Sequence, residues 1–115
     1  MRVLFFGDVV GMEATQLLAH HMDEWRAETK ADAVVANVEN ALVTQLENPL
    51  DAYGLNGELA AILIDAGVDV LTGGNHSWDK LASGNVYQRE NVLRPHNMIE
   101  PSPGRGVFAI QVNGR

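Results

Sequence analysis

Residues 68 to 80 read VDVLTGGNHSWDK. The opening VDVLT, residues 68–72, is a short apolar run of the kind that forms a strand buried in a parallel sheet. It ends at Gly73-Gly74, and Asn75 and His76 follow at once, with Trp78 and Asp79 close behind. Glycines allow a tight departure from a strand and a close backbone approach. Ligand sites of open α/β sheets lie at the C-terminal ends of their strands. The stretch therefore reads as a strand that carries an amide and an imidazole to such an edge.

The pattern recurs upstream. Val3 to Phe6 is wholly apolar, which predicts a strand buried on both faces, and it leads to Gly7-Asp8. DAVVANV, residues 32–38, is a second buried strand and leads to Glu39 and Asn40. Between these runs, Ala14, Leu17, Leu18, His21, Met22 and Trp25 recur at helical spacing, which predicts a helix from about Ala14 to Lys30. NGELAAILIDAG is a second helix, with Asn56 as N-cap, Glu58 in the first turn and Gly67 closing the C-terminus. Residues 41–55 contain Pro49 and Gly54 and read as a loop or insertion. A weak helix is expected over Lys80 to Glu90, and VFAIQV, residues 107–112, is expected as a last strand. Strands alternating with helices define an α/β domain with a mostly parallel sheet and flanking helices. Asn113-Gly114 after the last run is a hairpin signal that calls for a returning strand, so residues 1–115 are expected to be a single, incomplete domain.

Composition narrows the function. With 46% hydrophobic and 20% charged residues the chain can bury a core, which excludes a disordered protein. Eight basic residues against fifteen acidic give a net charge of −7, which argues against DNA binding. No cysteine is present, so thiolate zinc sites and cysteine nucleophiles are excluded. No apolar run has the length of a membrane span or the form of a signal peptide, and the expectation is a cytoplasmic protein without membrane contact. The dinucleotide and P-loop glycine fingerprints are absent.

In a parallel sheet Asp8, Glu39, Asn40, Asn75 and His76 would meet at one edge. Carboxylate and amide oxygens are hard ligands suited to Mg, Mn or Fe ions. Two ions roughly 3.5–4 Å apart can clamp a phosphoryl group, and an imidazole can stabilise the phosphate or protonate a leaving oxygen. Taken singly, each residue has an ordinary role. Asp8 caps or turns, Glu39-Asn40 is a solvated strand end, Asn75 forms turns, and a lone histidine is more often structural. His20 and His21 lie in the helix pattern and read as partly buried structural residues. His96-Asn97 reads as a surface turn that could approach the same edge. Gly104-Arg105-Gly106 is a turn or a phosphate cradle, and Trp25 and Trp78 are packing residues.

RVLFFGDVVG, NVENA, LIDAGVDVLTGGNHSWD, LRP and PGRGVFAIQVNGR, in this order, resemble the N-terminal half of the YmdB-like metallophosphoesterases of the calcineurin-like phosphoesterase superfamily. The resemblance implies the first part of an α/β/β/α sandwich, with the second half missing. It implies a metal-dependent phosphodiesterase acting on cyclic nucleotides or related phosphoesters through two divalent metal ions (Fe, Mn or Mg). Asp8, Glu39, Asn40 and Asn75 would be metal ligands, with Glu39 bridging, and His76 the catalytic histidine. Family enzymes take three further histidine ligands from their second half, and His20, His21 and His96 do not match those motifs. A second copy or a complementing chain would then supply what is missing. LVTQLENPLDAY is longer than the family's usual link and lacks its glycines, which bears on substrate choice. The alternative reading is a lobe that binds a nucleotide or a protein without catalysis.

Overall fold

The computed structural model describes residues 1–43, 53–79 and 85–114. Strands β1 (Val3–Phe6), β2 (Ala33–Asn37), β3 (Val70–Thr72) and β4 (Val92–Leu93) form one parallel sheet in the order β1-β2-β3-β4. Helix α1 (Gly11–Thr29) connects β1 to β2, and α2 (Gly57–Asp65) lies between β2 and β3. The α/β class and parallel sheet read from the sequence are those observed.

Local chemistry explains the elements. Asn56 caps α2 by accepting the Leu59 N–H at 2.9 Å, and Glu58 sits in the first turn. Gly67 takes φ +103 just past the helix, a conformation that favours glycine. Helix α1 begins three residues before the expected Ala14 and closes at Lys30, which adopts the left-handed conformation. Its buried face is Thr15, Leu18 and Met22, while Leu17, expected on the apolar stripe, is 57% exposed. Trp25 packs on Phe6 with ring centroids 5.6 Å apart, and His21 stacks on Trp25 at 5.2 Å. His21 is thus half-buried, as expected, whereas His20, also expected to be partly buried, is exposed.

The core joins Val34, Ala36, Val38, Leu55, Leu59, Leu63, Leu71, Tyr87 and Val92, all essentially inaccessible to water. Arg26 of α1 ties the lower edge together. Its guanidinium donates to the Gly67 carbonyl at 2.8 Å and to the Asp69 carboxylate at 3.1 Å, and Asp69 also accepts the Val34 N–H at 2.7 Å. The opposite edge is left for the loops that leave the strands.

Three expectations are corrected. Strand β1 is not buried on both faces: Val3 and Phe5 are 53% and 58% exposed, while Leu4 and Phe6 face the core. It is an edge strand covered on one side only. Residues 107–112 are not a strand, because they find no ladder partner among the described residues, although exposed and half-buried positions alternate along them. The fourth strand is Val92–Leu93, and Leu93 also makes a parallel bridge to Arg105. The helix expected over Lys80 to Glu90 falls partly outside the described residues, and the rest is a single 3-10 turn, Val86–Gln88. Most of the loop expected over residues 41–55 also lies outside them. Asn113 and Gly114 take φ +52 and +74, the positive angles of a type I′ turn. Asn113 donates to Asp32 at 2.7 Å beside β1. No helix among the described residues is long and apolar enough to cross a membrane.

Candidate active site at the strand ends

The hydrogen-bond ladder continues past the strands and aligns their exits. Val9 N–H donates to Asn37 O at 2.9 Å, Val38 N–H to Thr72 O at 2.9 Å, and Gly73 N–H to Leu93 O at 2.7 Å. Each exit loop is therefore pinned to the end of the next strand. The sequence-predicted residues stand on these loops.

Two contacts bring four of them together. The Asn40 amide Nδ2 donates to Asp8 Oδ1 at 2.6 Å, across 32 residues of chain. The backbone N–H of His76 donates to Glu39 Oε2 at 2.9 Å, across 37. Since Glu39 and Asn40 are neighbours, the β1, β2 and β3 exits converge on one pair of residues. Asp8 holds its place at φ +51, a left-handed angle that costs a non-glycine residue roughly 1 kcal/mol. Asn75 is exposed and makes no hydrogen bond to the other four, but it lines a cavity of about 430 Å³ with Gly73, Gly74, Pro95, Asn97 and Met98.

The two glycines have separate reasons. A methyl group at Gly74 would collide with both Glu39 carboxylate oxygens, so only glycine lets the carboxylate reach this loop. A methyl group at Gly73 would meet Ser77 Oγ, the Tyr87 hydroxyl at 3.0 Å and Leu93 O at 3.1 Å. The loop itself is two overlapping turns. Ser77 N–H donates to Gly74 O at 3.2 Å, Gly74 N–H to Ser77 Oγ at 2.9 Å, and Asp79 N–H to His76 O at 3.2 Å.

Sequence reasoning misses two partners of His76. Asp79 Oδ2 lies 2.7 Å from His76 Nδ1, and the Tyr53 ring lies 4.3 Å from the imidazole, tilted by 39°. The i,i+3 spacing of His76 and Asp79 is visible in the sequence and could have signalled the first. Tyr53 arrives through tertiary pairing, with Gly54 N–H on Glu39 O at 2.5 Å and Leu42 N–H on Gly54 O at 2.9 Å.

Beneath the loop, Tyr87 is buried and its hydroxyl has no hydrogen-bond partner among the described residues. Burial pushes its phenol above the ordinary value, and the Glu39 carboxylate adds to the rise. The Ser77 hydroxyl is close enough to temper this without forming a hydrogen bond of acceptable geometry.

The donors suit hard cations, and one atom speaks for the fit. Asn40 Oδ1 is buried with no hydrogen-bond partner among the described residues, while its amide nitrogen is engaged by Asp8. A buried amide oxygen without a partner is costly unless something satisfies it. Among the described residues no three His, Asp or Glu side chains stand together as a metal cluster. Any ion held here would therefore rest on carboxylates and amides. Gly104 and Gly106 are accounted for by packing: a methyl at either would meet Tyr87 O at 2.6 Å or His96 Cα at 2.5 Å. Arg94 is buried and ties the same loop, donating to Gly104 O and to Glu100 at 2.5 Å.

Comparison with known proteins places the chain in a family. The family model described as YmdB-like protein matches residues 4–115. The chain belongs to the YmdB-like family. It is 32% identical, over its whole length, to a 2′,3′-cyclic-nucleotide 2′-phosphodiesterase of Bacillus subtilis (strain 168), covering 41% of that protein. The crystal structure of a hypothetical protein from Thermus thermophilus superposes with a TM-score of 0.82 at 34% identity, over 99% of this chain and 41% of the other. A novel phosphatase from Mycoplasma pneumoniae gives a TM-score of 0.81 at 25% identity, over 96% of this chain and 38% of the other. This YmdB-like chain thus spans about two-fifths of the length of the relatives it matches.

Proposed function

We propose that this YmdB-like chain carries one side of a metal-dependent phosphodiesterase site, hydrolysing cyclic nucleotides or related phosphoesters. The observation that carries the reading is the convergence of Asp8, Glu39, Asn40 and His76 from three parallel strand exits, with Asn40 Oδ1 buried and unpartnered among the described residues. Asp8, Glu39, Asn40 and Asn75 would hold two divalent ions (Fe, Mn or Mg). Such ions supply Lewis acidity toward the phosphoryl oxygens and a more acidic water. His76 stands beside the phosphate and protonates the leaving oxygen. Glu39 also accepts the His76 backbone N–H, so a carboxylate that would hold an ion also fixes the position of the imidazole. Ligands beyond these would come from polypeptide outside the 115 residues or from a second copy of the chain.

The test is turnover, in added manganese, of a cyclic nucleotide, whose alkoxide leaving group needs a proton. Hydrolysis that is lost in His76→Ala supports the reading. No hydrolysis, or hydrolysis unchanged in His76→Ala, rejects it. A second reading, a binding lobe without catalysis, draws on the lack of a three-residue metal cluster among the described residues. It predicts binding of a cyclic nucleotide without turnover.

A further inference from the structure

His76 is held at three points. Its backbone N–H is on Glu39, its ring lies against Tyr53, and its Nδ1 is 2.7 Å from the Asp79 carboxylate. The carboxylate accepts only, so Nδ1 must carry the proton in this contact. Asp79 is itself fixed, because its N–H donates to the His76 carbonyl within the same turn. Among the described residues, Nε2 has no hydrogen-bond partner.

We propose that Asp79 is a positioning residue that fixes the Nδ1–H tautomer of His76 and so reserves Nε2 for the substrate's leaving oxygen. The inference rests on the phosphodiesterase reading and deepens it. In the step, water attacks phosphorus and gives up a proton to solvent, the bond from phosphorus to the leaving oxygen breaks, and the Nε2 proton of the imidazolium passes to that oxygen. The imidazole left behind is the Nδ1–H tautomer, the form that the Asp79 contact already favours. Water returns a proton to Nε2 before the next turnover. A tautomer with its only proton on Nε2 would instead turn a lone pair toward Asp79 and lose the contact. Tyr53 contributes by limiting the tilt of the ring.

Two readouts test this. Nitrogen-15 NMR of the metal-free chain, at a pH where the imidazole is neutral, reports the His76 tautomer. The wild type is expected as Nδ1–H, and Asp79→Ala is expected to move toward Nε2–H. With manganese added, Asp79→Ala should lose about tenfold or more in kcat on a diester with a poor leaving group such as an alkoxide, with KM unchanged. It should change little on a p-nitrophenyl ester, whose leaving group needs no proton. Asp79→Glu, which keeps a carboxylate, should recover part of the loss and serves if Asp79→Ala does not fold. A wild-type Nε2–H tautomer, or an equal loss on both esters, overturns the proposal. No turnover by the wild type rejects the phosphodiesterase reading instead, and the tautomer then decides the inference.

Discussion

Replacing Gly74 by alanine tests how the site loop is built. The new methyl would collide with both oxygens of the Glu39 carboxylate, so the carboxylate or the loop must move. Movement breaks the 2.9 Å bond from His76 N–H to Glu39 Oε2. A hydrogen bond to a charged group contributes about 1.5–3 kcal/mol, and both groups are partly shielded from water here. Part of this is recovered through the lower backbone entropy of alanine in the unfolded chain, about 0.4–1 kcal/mol. The net expectation is a destabilisation of about 1–2 kcal/mol, or roughly 5–10 °C in Tm for a domain of this size. Urea denaturation followed by circular dichroism measures it. Gly57→Ala is the internal control, because nothing lies within 4 Å of a methyl there and the residue opens α2. That variant should be neutral or stabilised by up to about 1 kcal/mol. A Gly74→Ala protein as stable as Gly57→Ala would refute the claim that Gly74 exists to admit the Glu39 carboxylate.

Other outcomes follow from the same geometry. Tyr87→Phe removes a buried hydroxyl without a partner among the described residues and should stabilise the chain by about 1 kcal/mol at neutral pH, read as a urea midpoint. Because burial raises the Tyr87 phenol above 10.0 in the folded state, its contribution is fully present below that pH and is lost as pH rises through the higher folded value. The alkaline loss of stability should therefore be shallower in Tyr87→Phe than in wild type. Asp8→Gly relieves the φ +51 conformation, worth roughly 1 kcal/mol, but also removes the 2.6 Å hydrogen bond from Asn40 Nδ2, so stability should change little or fall slightly while metal affinity is lost; metal affinity that survives contradicts the site assignment. Thermal melts and metal titration on the same samples separate the two effects.

The sequence carried much of this fold because its strongest signals are local. β2, β3 and α2 follow from apolar runs, the Asn56 cap and Gly67, all of which act within a few residues. The convergence of Asp8, Glu39, Asn40 and His76 was also legible, since in a parallel sheet every exit lies at one edge. The failures are tertiary. A two-residue strand such as Val92–Leu93 has too little length for periodicity, and its pairing depends on β3 being beside it. Phe5 looks buried in the sequence, but its exposure depends on which face α1 covers. Residues 107–112 have strand composition without a strand's partner among the described residues. The roles of Gly74 and Tyr53 appear only when chain segments distant in sequence are brought to within a few ångströms.

Metal binding at the strand exits is the first thing to measure, by isothermal titration of the chain with manganese beside Glu39→Ala and a surface control such as Glu28→Ala. Saturable binding by wild type and by the control, abolished in Glu39→Ala, is the predicted result. No saturable binding by wild type, or binding that survives unchanged in Glu39→Ala, would contradict the assignment of this edge as a metal site.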